Sequence, residues 1–223
     1  MEYQTILLAA GEGQRAELGY NKVLYKVNGG KELVLYSLEF FLKDEKCTKI
    51  VLVINQRDKL YFKNLIKNEK VVFELGGATR GESVKAGLKA TDSEYVIVHD
   101  AARPLLYKED VYNLLSAAKE NGGATLATKV YNTTCHIDDE GRVDKYYSRH
   151  KLASIITPQC FNRELLVKCY KENESCGAVF TDDSSLFNKY IGNVKLVWSD
   201  NISIKATTPY DIKLIEVLLY AYR

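Results

Sequence analysis

Unbroken apolar, β-branched runs separated by helical patterns constrain this chain more than any other feature of it. Stretches such as KIVLVIN (Lys49 to Asn55) and YVIVHD (Tyr95 to Asp100) do not alternate apolar with polar residues, so neither face of such a strand can meet water. Strands covered on both faces need helices above and below them, which is an α/β arrangement around a mostly parallel sheet. The spacing predicts strands over Gln4 to Ala10, Lys49 to Asn55, Val71 to Leu75, Tyr95 to His99, Ala124 to Val130 and Val194 to Ser199. Helical periodicity covers Glu32 to Lys43, Lys59 to Lys67, Gly81 to Lys89, Lys108 to Asn121, Asn162 to Glu172, Asp182 to Tyr190 and Pro209 to Tyr222. The last has a start signal in Thr208 as N-cap, Pro209 at the first helical position and Asp211 soon after. The expected fold is a Rossmann-like, doubly wound sheet.

Tyr131 to Ser148 (YNTTCHIDDEGRVDKYYS) instead reads as two polar extended segments around an Asp-Glu-Gly turn, a hairpin arm projecting from the domain. An arm this polar cannot pack alone, so it is expected to lie against a second subunit. With 223 residues and 46% hydrophobic content the chain supports one core, and residues 1–223 read as a single domain containing the 131–148 arm. Lys plus Arg number 31 against 29 acidic residues, a net charge of +2, so no global field for nucleic acid or an anionic membrane exists. Anion binding must come from local clusters. The five cysteines form no C-x-x-C pair and are odd in number, which argues against a zinc knuckle and a full disulfide framework and suits a reduced cytoplasm. No basic segment precedes the first short apolar run, and nothing approaches the ~20 apolar residues of a membrane span.

Directly after the first strand comes LLAAGEGQRAELGYNK, where Gly11 and Gly13 allow backbone N–H groups close to a phosphate. The spacing also fits G-x-G-x-x-A, the dinucleotide fingerprint, but there the glycines open a helix at once. Here roughly twenty residues intervene, and no P-loop signature occurs. Arg15 and Lys22 occupy the loop, an Arg fork and a Lys point charge suited to a triphosphate and to charge growing on a leaving pyrophosphate. Taken alone, the loop also fits an ordinary surface connection with both cations solvated. Gly76-Gly77-Ala78-Thr79-Arg80-Gly81-Glu82-Ser83 follows the third strand; its backbone and the Ser83 hydroxyl suit a nucleobase edge, and equally a plain turn. YVIVHDAARP then runs a buried strand into Asp100 and Arg103, where ligands sit in open α/β sheets. Asp100 suits Mg²⁺ or a ribose hydroxyl, and Arg103 suits an anion or Asp100 itself. His99 reads as a core histidine with one hydrogen bond. Asp182 and Asp183 read as first-turn helix acids, and the Tyr210, Tyr220 and Tyr222 helix as core and surface.

In this order these segments resemble the 2-C-methyl-D-erythritol 4-phosphate cytidylyltransferase family. The resemblance runs from about Ile6 to Asp211 and is carried by LLAAGEGQR with Lys22, GGATRGESVKAGL, VHDAARP, Arg149 ahead of Thr157-Pro158-Gln159, Thr181-Asp182, and Lys205 ahead of Thr207-Thr208-Pro209. It implies CTP and a sugar-alcohol phosphate as substrates, Mg²⁺ or another divalent cation as cofactor at Asp100, and a homodimer in which the 131–148 arm reaches the neighbouring site. By the same resemblance Arg15, Lys22, Arg149 and Lys205 are catalytic. Ala9, Ala10, Gly11, Gly13, Gly77, Ser83, Asp100 and Ala101 bind nucleotide, while Arg103, Thr157 and Thr181 hold the acceptor. Departures from the family pattern are Asn21 for a proline and Ala16 for a methionine, implying a looser loop, together with Asn132, Cys135 and Ala78.

The implied chemistry is attack of an acceptor phosphate oxygen on the α-phosphorus of CTP with loss of pyrophosphate. A phosphate monoester with a second pKa near ~6 is already mostly dianionic, so no general base is required and cations dominate the site. The neighbouring reading is a ribitol-5-phosphate (pentitol phosphate) cytidylyltransferase, against which Ala101-Ala102 speaks, since pentitol enzymes tend to carry Ser-Val there. The remoter one is a non-catalytic nucleotide-binding Rossmann module.

Overall fold

The computed structural model describes residues 1–11 and 18–221. Nine strands and seven helices run through the described residues. They are β1 (Tyr3–Leu8), α1 (Leu33–Lys43), β2 (Cys47–Ile54), α2 (Lys59–Leu65), β3 (Val71–Leu75), α3 (Arg80–Lys89), β4 (Tyr95–Asp100) and α4 (Lys108–Asn121). There follow β5 (Gly123–Lys129), β6 (Thr134–Ile137), β7 (Val143–Tyr147), β8 (Ala153–Asn162), α5 (Arg163–Cys176), α6 (Asp183–Tyr190), β9 (Lys195–Trp198) and α7 (Pro209–Ala221). Seven strands form one sheet in the order β3-β2-β1-β4-β8-β5-β9, parallel except for β8.

Both faces of the sheet are covered, as the unbroken runs require. Leu7, Ile50, Leu52, Ile54 and Ile97 face α1, α2, α4 and α7 through Phe41, Phe62, Leu114 and Ile215. Their neighbours in the chain, Ile6, Val51, Val53, Val96 and Val98, face α3, α5 and α6 through Val84, Leu166 and Phe187. Every residue of β4 is buried. Connections run one way from β1 through β2 to β3 and the other way from β1 to β4, so the order reverses between β1 and β4. A crevice opens beyond the carboxyl ends of strands at such a reversal. Gly76 closes one side of it: a Cβ there would stand 2.6 Å from the Ala10 Cβ and 2.8 Å from the Ser83 hydroxyl, so only glycine lets the end of β3 approach the end of β1.

All seven predicted helices are present within the described residues, with Tyr222 beyond them. The strand missing from the sequence reading is β8. Its ASIITPQCFN carries Pro158, which argues against a strand flanked on both sides because proline cannot donate to a ladder. The structure resolves this with a bulge: β5 pairs Thr125 with Gln159 and then Leu126 with Ile156, leaving Pro158 unpaired. Asn162 ends β8 and caps α5 with its side chain, rather than lying inside the helix.

The hairpin expected within residues 131–148 is present. β6 and β7 pair only with each other, and the turn is held by the Asp138 carboxylate, which accepts from the backbone N–H groups of Glu140 and Arg142, with Gly141 at φ 79°. Tyr131, Ile137, Val143, Tyr146 and Tyr147 are exposed on it. Cys47, Cys160 and Cys169 are buried and burial raises their thiol pKa values, Cys135 is half-buried, and Cys176 is exposed. Tyr210 and Tyr220 of α7 are exposed. Among the described residues no helix is long and apolar enough to cross a membrane.

Candidate active site

Two chambers open at the carboxyl edge of the sheet. The first, about 710 Å³, is lined by Ala10, Gly11, Lys22, Gly77 and Ser83, with Asn55 and Arg57 from beyond β2. The second, about 630 Å³, is lined by Arg103, Thr157, Gln159 and Thr181, with α6 and β9 at its far side. Arg80, Asp100 and Lys205 line both, and so form the common wall.

That wall is an ion cluster. The Lys205 ammonium donates to Asp100 Oδ2 at 2.6 Å, and Arg80 Nε lies 3.4 Å from Asp100 Oδ1. Burial works to raise the Asp100 carboxyl, but the charges of Arg80 and Lys205 overcome it and hold the pKa far below the usual carboxylate range. Arg80 Nη1 also donates to Asp183 at 2.6 Å, and Asp183 takes a 2.5 Å bond from the Tyr170 hydroxyl. Burial opposes the Arg80 charge, and Asp183 and Asp100 more than offset it. Arg80 is the principal residue that sequence reasoning missed. The available signal was its position: a cation in the first turn of α3 meets the positive end of the helix dipole and needs anions nearby. Arg103 makes no ion pair with Asp100; its Nη1 donates weakly to Ser203 at 3.5 Å, and its Nε is buried with no partner among the described residues.

Lys22 starts a 3-10 turn, and Asn21 caps it. The looser loop implied by Asn21 and Ala16 runs through residues 12–17, outside the described residues, whereas Asn21 itself is firmly held. Fully buried Asn21 donates to the Ala9 carbonyl at 2.8 Å and to Asp58 at 2.9 Å, and accepts from the Val23 N–H, tying the loop to the end of β1. Gly13, Arg15 and Ala16 lie outside the described residues. Ala9 and Ala101 are buried and line neither chamber, and Ala102 lines the first in place of Ala101, which packs into the core just beyond β4.

Thr157 reaches the second chamber with its hydroxyl already engaged. It accepts from the Asp100 N–H at 3.1 Å and contacts His99 Nδ1 at 3.1 Å, while His99 Nε2 sits 3.0 Å from the Arg103 carbonyl. Because a carbonyl only accepts, Nε2 carries the proton and Nδ1 accepts from Thr157. His99 thus makes two bonds, not one, and fixes the backbone from Asp100 to Arg103. Burial pushes its imidazole down to about 4. The unfolded chain takes up a proton near 6.5 and the folded one does not until about 4, so His99 contributes stability above pH 6.5 that is lost as pH falls toward 4. The expected loss is about 3 kcal/mol. Urea unfolding from pH 7 to 4 should show this slope, and a His99→Gln chain with the same slope would remove the assignment.

Asp182 is the N-cap of α6, accepting from the Ser185 N–H and held by Gln159, while Asp183, the first-turn acid, is engaged by Arg80 and Tyr170. Thr181 is exposed in the second chamber. Arg149 lies in neither chamber. It sits at the base of the arm, where Nη1 donates to the Tyr131 carbonyl at 3.2 Å.

A glycine-edged nucleotide-sized cleft at a sheet reversal, sharing a wall of paired cations with a second polar cleft, defines a nucleotidyltransferase. Residues 3–221 match the sequence model of 2-C-methyl-D-erythritol 4-phosphate cytidylyltransferase, and the chain belongs to that family. It is 35% identical to the 2-C-methyl-D-erythritol 4-phosphate cytidylyltransferase of Bacillus licheniformis over 226 residues, covering 99% of this chain and 97% of that protein. The protein of that name from Geobacillus thermodenitrificans is 36% identical over 224 residues, covering 98% and 97%. Among solved structures, the 4-diphosphocytidyl-2C-methyl-D-erythritol synthase of Anaerococcus prevotii superposes with a TM-score of 0.87 at 30% identity, covering 98% of this chain and 96% of that one. The Thermus thermophilus 2-C-methyl-D-erythritol 4-phosphate cytidylyltransferase gives 0.81 at 27%, covering 99% and 100%.

Proposed function

We propose that CTP occupies the first chamber and 2-C-methyl-D-erythritol 4-phosphate the second, and that the enzyme transfers CMP between them in isoprenoid biosynthesis. The observation carrying this is the shared wall: Arg80, Asp100 and Lys205 face both chambers, with Lys22 in the first and Arg103 in the second, so two phosphates that repel each other can meet among fixed cations. An oxygen of the acceptor phosphate bonds to the α-phosphorus of CTP, the α–β bridging P–O bond breaks, and pyrophosphate leaves with the electron pair. No proton need be removed, in keeping with a buried neutral His99 whose two nitrogens are both engaged.

Gly11, Ala10, Gly77 and Ser83 suit the cytidine, and Lys22 with Arg15 the triphosphate. Arg103 and Thr181 suit the acceptor, with Thr157 acting through the Asp100 backbone. A divalent cation fits in one respect: Mg²⁺ is commonly held by one or two carboxylates and substrate phosphates, and the described residues offer Asp100 but no cluster of three ligands. Bound there with the nucleotide, it would add positive charge to the phosphates.

The exposed apolar residues of the arm and the position of Arg149 at its base, outside the lining of both chambers, support a homodimer in which Arg149 serves the partner's acceptor chamber. Mixing Lys22→Ala chains with Arg149→Ala chains is then expected to restore about a quarter of wild-type activity, since half the dimers are mixed and each has one intact site. No recovery on mixing would place Arg149 in its own chain's site or in none. The reading as a whole is tested by pyrophosphate release from CTP, UTP, ATP or GTP with a panel of sugar-alcohol phosphates. Release with CTP and methylerythritol phosphate is expected. Preference for ribitol 5-phosphate would favour a pentitol enzyme, and CTP binding without release a non-catalytic module.

A further inference from the structure

Among the described residues, the common wall holds a buried donor without a hydrogen-bond partner. Arg80 directs Nη1 to Asp183 and Nε toward Asp100, while Nη2 is buried with no hydrogen-bond partner among the described residues. Buried guanidinium nitrogens are rarely left unpaired, because each costs a desolvation penalty with nothing to offset it. The rest of the group is over-determined. Asp183 is completely buried and also held by Tyr170, and the Thr79–Glu82 capping box sets the start of the helix that carries Arg80. The orphan nitrogen therefore belongs to a side chain held rigidly at the place where both chambers meet.

Position decides what it would touch. Groups at the far end of the first chamber can meet only nucleotide, and groups on α6 only acceptor, but a group at the junction faces the phosphorus that changes partners. Lys205, the other cation there, is a point charge with its ammonium on Asp100, whereas a guanidinium offers a directed donor in a fixed plane. We propose that Arg80 is a further catalytic residue, whose guanidinium, on a side chain 27% exposed at the junction of the chambers, donates to a non-bridging oxygen of the α-phosphoryl group as the acceptor oxygen bonds to phosphorus and the pyrophosphate bond breaks. Asp100 and Asp183 serve it by holding the guanidinium plane. This rests on the two-chamber reading above, and wild-type turnover of CTP with the acceptor tests that reading separately.

The experiment compares wild type, Arg80→Lys, and Arg80→Ala combined with Asp183→Asn, so that no buried carboxylate is stranded if arginine is lost. Each is assayed with CTP and with the two diastereomers of its α-thio analogue, and its melting temperature is recorded. Expected is a fall in kcat of roughly tenfold to 10²-fold in both variants, with both KM values within about threefold of wild type. The rate ratio between the two thio diastereomers should shift by about tenfold, because sulfur at the contacted oxygen is a poor acceptor only while the donor is present. A purely structural arginine would lower turnover of all three nucleotides alike. An unchanged diastereomer ratio, a loss confined to either KM, or kcat within about twofold of wild type overturns the proposal.

Discussion

Replacing Lys22 by alanine is expected to lower kcat roughly 10²- to 10³-fold, with a smaller rise in the KM for CTP. The reason lies in how the lysine is held. Asn21, fully buried, bonds to the end of β1 and to Asp58, so the turn that begins at Lys22 starts from an anchored residue. The lysine lines the first chamber; burial works to raise the nearby Asp211 carboxyl, but hydrogen bonds from Thr208 and Thr207, with a smaller contribution from the Lys22 charge, hold it below the ordinary value. A cation that bound substrate and transition state equally would change KM alone, whereas one fixed where charge grows on the leaving pyrophosphate changes kcat. Steady-state kinetics with both substrates varied, on protein shown by melting to be folded, is the measurement. Turnover within about twofold of wild type would remove Lys22 from the chemistry.

The second large effect is expected at Asp100. Changing it to asparagine keeps the shape but removes the anion that Arg80 and Lys205 share, leaving two cations facing each other in a buried wall. Lys205 loses its 2.6 Å anchor, and Arg80 keeps only Asp183. A fall in kcat of roughly 10³-fold is expected, larger than for either cation alone because both are displaced at once. Isothermal calorimetry of CTP with and without Mg²⁺ adds a second readout: the gain in affinity due to the metal should shrink in the variant. Since the Asp100 carboxyl lies far below the usual range, no protonation of it should appear in the pH profile of the wild type at ordinary pH. An Asp100→Asn enzyme within about fivefold of wild type would show that the shared wall is not where the chemistry occurs.

Much of the fold was legible because it depends on local pattern. Continuous runs such as KIVLVIN and YVIVHD reported strands buried on both faces, and the helix periods between them were found to within a few residues. β8 was not legible. Its proline is a local argument against a strand, and only the neighbours β4 and β5, brought together by the fold, supply the bulge that accommodates it. The same distinction runs through the site. Gly11, Lys22, Gly77, Ser83, Asp100, Arg103, Thr181 and Lys205 were named from motifs and all line a chamber. Ala9 and Ala101 were named with them and do not, because direction into the core or into the crevice is set by packing and not by the motif.

The amino-acid sequence by itself determined the layered α/β architecture, the polar arm and the family, since these follow from residue period, composition and motif order along one dimension. Tertiary structure alone decided which charges meet. Arg80, Asp100, Asp183 and Lys205 come from four separate segments, and their mutual stabilisation depends on distances of a few ångströms across a sheet edge. Coulombic attraction falls with separation in space and is strengthened by burial, and neither quantity is written in the order of residues along the chain.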